Sequence, residues 1–117
     1  MSVREEDCIQ KAIIEWLSYK HPKAREVVIH IANQRATSPQ QGYKLKQMGV
    51  RKGVSDLLIP IATGGYHGMF LEVKTIEGTL TKEQKAFIKR MDEEGYFAIA
   101  AYGLEHCMRE IDAYLTA

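Results

Sequence analysis

Long apolar runs are missing from this sequence. No stretch approaches the roughly 20 consecutive apolar residues that a membrane-spanning helix needs. The amino-terminal MSVREED likewise has no apolar core of the kind a secretory leader carries. A soluble, intracellular protein is the expectation. Cysteine is scarce as well. There are two, Cys8 and Cys107, far apart in helix-like stretches, with no CxxC and no Cys/His pair at zinc-binding spacing. That argues against a zinc module, and both are expected to be reduced, buried thiols. Internal repeats, low-complexity tracts and linkers are absent, and the 117 residues suit one domain, 1–117, around one core. Excess charge is absent too: the net charge of +1 gives no global attraction to a polyanion.

One further absence is informative. Residues 27–55 contain no Asp or Glu, yet they hold Arg35, Lys44, Lys46, Arg51 and Lys52. The rest of the chain is therefore net acidic. A basic segment beside an acidic remainder suits a polyanion that approaches one edge only. A solvated, lysine-rich loop would have the same composition, so the segment alone decides nothing.

What is present reads as alternating helices and strands. Ile9, Ala12, Ile13, Trp16 and Leu17 recur at helical spacing, Ser2 and Glu5 form a capping-box pattern before them, and His21-Pro22 ends the helix. The β-branched run 27–31 predicts a strand. A polar, basic stretch follows, with a short helix predicted over 40–48. Residues 57–61 and 69–74 predict two more strands joined by a short connection through Thr63-Gly64-Gly65, hence a hairpin. A helix over 81–94 carries Phe87, Ile88 and Met91 inward and ends at Gly95. A strand over 97–102 and a helix over 104–115, with Leu104, Cys107, Met108, Ile111 and Leu115 on one face, complete the chain. The third and fourth strands flank a helix, so they should run parallel. The expected fold is α/β: an αβββαβ core with a mixed four-stranded sheet flanked by helices.

The chemistry concentrates on the third strand. Side chains alternate along a strand, so Glu72 and Lys74 share one face while Leu71 and Val73 take the other. Alone, such a pair is commonly a weak surface ion pair. Asp56, at the mouth of the preceding strand, changes the picture, because the hairpin can bring it beside Glu72. Two adjacent carboxylates repel unless they share a proton or a cation. Mg²⁺ or Mn²⁺ would suit them, since a hard cation takes carboxylate oxygens, keeps several waters, polarises a phosphodiester and lowers the pKa of a bound water. Lys74 would orient or deprotonate that water, or offset charge on the phosphate; the sequence leaves these roles open.

The string Gly53-Val54-Ser55-Asp56, a hairpin, and Glu72-Val73-Lys74 resembles the PD-(D/E)XK nuclease signature. The flanking residues narrow it. Met48-Gly49-Val50-Arg51-Lys52-Gly53 before the Asp, Gly68-Met69-Phe70-Leu71 before the Glu, and Leu80-Thr81-Lys82-Glu83-Gln84 after the Lys resemble the VRR-NUC (virus-type replication-repair nuclease) family over nearly the whole chain. A bare D…ExK occurs often by chance; the full string with its element order is specific. Ser55 departs from the proline common at that position, which would only shape the backbone.

The resemblance implies the restriction-endonuclease-like core and a metal-dependent endonuclease of a bacterial or phage-infected cytoplasm. It implies action on branched DNA, a four-way (Holliday) junction first, by a homodimer. It also makes Asp56, Glu72 and the Val73 carbonyl metal ligands. Glu6, on the first helix, is the candidate for an additional acid near the metal, although a first-turn acid is also favoured by the helix dipole. Gln84 is expected near the active site, although it also fits as the N3 partner of Thr81 in a capping box. Asn33, Arg35, Lys44, Lys46, Arg51, Lys52 and Ser55 are the candidate DNA contacts. The four histidines show no ligand spacing, and Trp16 and Tyr96 read as core or interface residues. Competing possibilities are a flap- or nick-directed or restriction-type nuclease of the same fold, and a DNA-binding module that has lost its chemistry. The complete Asp56, Glu72, Lys74 set argues against the last.

Overall fold

The computed structural model describes residues 3–32 and 37–117. Its elements run α1 (Val3–Lys20), α2 (Pro22–Val27), β1 (Ile29–His30), α3 (Pro39–Gln47), β2 (Leu57–Ile59), β3 (Met69–Lys74), α4 (Lys82–Glu93), β4 (Phe97–Tyr102) and α5 (Leu104–Leu115). The strands form one four-stranded sheet in the order β1-β2-β3-β4. The first two pairings are antiparallel and β3 pairs parallel with β4. This is the expected mixed α/β sheet. The Ser2 capping position lies outside the described residues.

Two boundaries differ from expectation, both because of proline. Pro22 does end α1, but it also opens α2 at a position where its fixed φ and missing N–H cost nothing. Buried Ala24 anchors that short helix, so Val27 is helical and the strand predicted over 27–31 shrinks to Ile29–His30. One further backbone bond, from Ile31 N to Asp56 O at 2.8 Å, extends the pairing toward the site. At the other boundary, β2 stops at Ile59 because Pro60 has no N–H for the ladder.

Strand parity sorts the sheet into two faces. Leu57, Ile59, Met69, Leu71 and Val73 pack with Ile13 and Leu17 of α1 and with Cys107 and Ile111 of α5, all fully or almost fully buried. Each large apolar side chain so enclosed contributes ~1.5–3 kcal/mol. The opposite face carries Phe70, whose ring meets Phe87 of α4 edge-on at 5.2 Å. Glu72 and Lys74 share that parity. Cys107 is buried, as expected, but Cys8 is exposed on α1, contrary to expectation. Its position is off the Ile9/Ile13/Leu17 stripe. Trp16 packs partly against the core and edge-on to His21, and Tyr96 meets Phe70 and His67, so both rings are engaged within the chain.

Candidate active site

Asp56, Glu72 and Lys74 converge at the open end of the β2–β3 hairpin, where β2 begins and β3 ends, and all three are buried: 9%, 3% and 6% exposed. The hairpin register explains this. Leu57 lies opposite Leu71, so Asp56 falls beside the Glu72–Val73 peptide. Its Oδ2 accepts a hydrogen bond from the Val73 N–H at 2.7 Å. That bond fixes the carboxylate over the β3 backbone and leaves its other oxygen uncommitted to this amide.

The loop that delivers Asp56 is held by Gly53. At φ +83°, a Cβ there would lie 2.5 Å from the Glu83 backbone, in the first turn of α4. Only glycine permits this approach, so the loop and α4 are locked together.

Glu72 is positioned from the other side. Thr81 and Gln84 form the capping box of α4: Thr81 Oγ1 accepts from Gln84 N at 3.1 Å, and Gln84 Oε1 accepts from Thr81 N at 2.9 Å. The cap fixes the Gln84 amide so that its Nε2 donates to Glu72 Oε2 at 3.3 Å. The capping and site roles expected for Gln84 are therefore one arrangement. Glu72 Oε1 is buried and has no hydrogen-bond partner. A buried carboxylate oxygen without a partner is costly unless a proton shared with Asp56 or a cation satisfies it.

The electrostatics point the same way. Glu72 is pushed up to about 9, first by burial, then by the Asp56 charge and a hydrogen bond shared with Asp56; Lys74 pulls it back and Glu6 adds to the rise. Glu6, partly buried on α1, is also raised, by burial first, with Lys74 lowering it and Asp56 raising it again. Thus Glu6 is electrostatically linked to the cluster. Among the described residues, however, no three Asp, Glu, His or Cys side chains close on one point, so Glu6 is not in place as a third ligand. The donor set of two carboxylates and the adjacent Val73 carbonyl still fits a hard cation that retains its waters.

A match to the VRR-NUC domain model spans residues 4–105. The chain belongs to the VRR-NUC family. A solved structure of a VRR-NUC domain protein superimposes with a TM-score of 0.83 at 31% identity, covering 99% of this chain and 92% of the other. No curated protein matches the chain. Membership gives the chain a nuclease-type fold and a nuclease and DNA-binding character.

Other expected site residues are less central. Lys44 and Lys46 lie in the last turn of α3, and Arg51 and Lys52 follow it; all four are exposed. Helix α3 buries none of its residues and ends nine residues before Asp56. Ser55 is fully buried, so the expectation that it contacts DNA fails: alternation turns it inward beside Asp56, and its Oγ has no partner. Asn33 and Arg35 lie outside the described residues. Two of the histidines have ordinary polar partners: His21 Nε2 meets Asp112 at 2.7 Å, and His106 Nδ1 accepts from Tyr102 N at 2.9 Å. The interlock at Gly53 was missed by sequence reasoning; its only signal was a glycine three residues before a candidate acid. No described helix is long and apolar enough to cross a membrane.

Proposed function

We propose that this chain is a divalent-metal-dependent DNA endonuclease that hydrolyses phosphodiester bonds, with branched DNA, foremost a four-way junction, as substrate. The observation that carries this is the buried Asp56–Glu72 pair with one orphaned Glu72 oxygen beside Lys74. Asp56, Glu72 and the Val73 carbonyl would hold Mg²⁺ or Mn²⁺, with Glu6 near enough to reinforce the negative field. When bound, such a cation polarises a phosphodiester oxygen and lowers the pKa of a water.

The chain's own residues supply the positioning. The Val73 amide orients Asp56, and the capped Gln84 amide orients Glu72 so that Oε1 is the oxygen left free. Lys74, on the Glu72 face of β3, stands where it can orient the attacking water and offset charge on the phosphate. Lys44, Lys46, Arg51 and Lys52 lead along the backbone into this point and suit phosphate contacts that carry no sequence information. A C₂ homodimer would pair two centres with the two-fold symmetry of a four-way junction. The test is a gel assay on junction, flap, nicked and linear DNA, with and without Mg²⁺ or Mn²⁺. Metal-dependent cutting that favours the junction is expected. Equal cutting of all four, or none, would refute the assignment.

A further inference from the structure

Beside the candidate active site lies a cleft of about 360 Å³. It is lined by Asp7, Gln10, Lys11 and Ile14, from neighbouring turns of α1, and by His30 and Leu57, which face each other across β1 and β2. The α1 wall runs toward the candidate active site: Gln10 stands one helical turn from Glu6, whose carboxyl feels Lys74 and Asp56. The backbone of β1 is fastened to the same point through the Ile31 N to Asp56 O bond of 2.8 Å. A group seated in the cleft therefore adjoins a phosphate held at Asp56 and Glu72.

The lining has the chemistry of a base site and not of a phosphate site. Asp7 and Lys11 stand one helical turn apart and offset each other, so the cleft has no excess positive charge to attract a phosphate. Ile14, partly exposed, supplies apolar surface for the flat face of a heterocycle, over a floor closed by buried Leu57. Gln10 offers a donor and an acceptor together, and the His30 ring nitrogens add polar contacts, which is what the edge of an unstacked base requires. The volume stands at the low end of the ~300–1,000 Å³ range of ligand pockets, suited to one nucleoside-sized group. A base paired and stacked within a duplex cannot reach such a recess, whereas an unpaired one can.

We propose that this cleft is a subsite for one unpaired nucleotide adjoining the scissile phosphate, and that occupying it biases the chain toward branched DNA over intact duplex. The proposal rests on the nuclease reading of the neighbouring site. Its test begins by mapping where the wild-type protein cuts flap and junction DNA in Mg²⁺ or Mn²⁺. Glu72→Gln protein in EDTA is then titrated with the best-cut DNA and with versions carrying a single abasic residue, moved one nucleotide at a time around the cut. One abasic position should weaken binding about tenfold, as expected for loss of one enclosed base. That loss should disappear when Ile14→Trp, which fills the cleft, is added. Ile14 also packs against the core, so His30→Ala, at an exposed strand position, provides a second variant and should cut the loss to about threefold or less. Equal binding of every abasic version, or a loss undiminished in both variants, overturns the subsite and leaves the nuclease reading standing. A wild-type protein that cuts none of these DNAs overturns both.

Discussion

Replacing Glu72 by Gln should stabilise the metal-free protein, and increasingly so as the pH rises. The folded-state carboxyl titrates near 9, against an ordinary 4.5, because it is buried beside Asp56. A group raised on folding favours the folded state fully below its unfolded value and loses that contribution as pH climbs toward the folded one. Between pH 4.5 and pH 7.5 the slope is about 1.4 kcal/mol per unit, so the accumulated cost reaches at most about 4 kcal/mol. Gln has the shape of the protonated carboxyl and does not titrate, so other ionisations largely cancel between the two proteins.

Urea denaturation in EDTA at pH 5, 6.5 and 8 measures the difference. The proteins should be nearly equal at pH 5, and the variant should be the more stable by a few kcal/mol at pH 8. Millimolar Mg²⁺ should then restore the wild type and leave the variant unchanged, because only a protein that binds the ion gains stability from it. A gap that does not depend on pH, or a variant less stable than wild type at pH 8, would refute the reasoning.

Gln84→Glu keeps an acceptor for the Thr81 N–H but replaces the donor facing Glu72 with a negative charge. Thermal stability in EDTA at pH 5 should change little, whereas the Mg²⁺-induced stabilisation should fall; Gln84→Ala should lower stability by ~1 kcal/mol through loss of the cap as well. Replacing Lys44, Lys46, Arg51 and Lys52 with Ala should weaken DNA binding regardless of sequence, and should flatten the plot of log affinity against log salt by roughly one unit per lost phosphate contact. An unchanged slope puts the DNA surface elsewhere. Light scattering at micromolar concentration should return the mass of a homodimer, and a monomer mass both free and with junction DNA would remove the paired-cut mechanism.

Sequence pattern was enough to find the sheet and the strand that carries the candidate site, because strand parity is a strict rule. Once Met69–Lys74 is a strand, Glu72 and Lys74 must share a face, and a short hairpin leaves Asp56 few places to go. The capping box at Thr81 and Gln84 was legible for the same reason, being local. What escaped was set by contacts distant in sequence. Nothing near Gly53 announces that α4 will press against its backbone. Nothing near Ser55 says whether its hydroxyl faces DNA or the core, and the structure turns it inward. Pro22 carried two meanings, stop and start, and only the burial of Ala24 chooses the second. The way Gln84 serves both the cap and Glu72 depends on how α4 docks on the sheet, which periodicity does not encode.

The most direct measurement is cleavage of a cruciform or four-way junction by wild type, Asp56→Asn, Glu72→Gln and Lys74→Ala, each confirmed as folded by circular dichroism, in Mg²⁺, Mn²⁺ and EDTA. Wild type should cut only with metal. Each substitution should reduce the rate by a hundredfold or more, with Lys74→Ala still showing metal-induced stabilisation because it removes no ligand. Normal cutting by all three variants, or cutting by the wild type in EDTA, would contradict a metal-dependent centre at Asp56, Glu72 and Lys74.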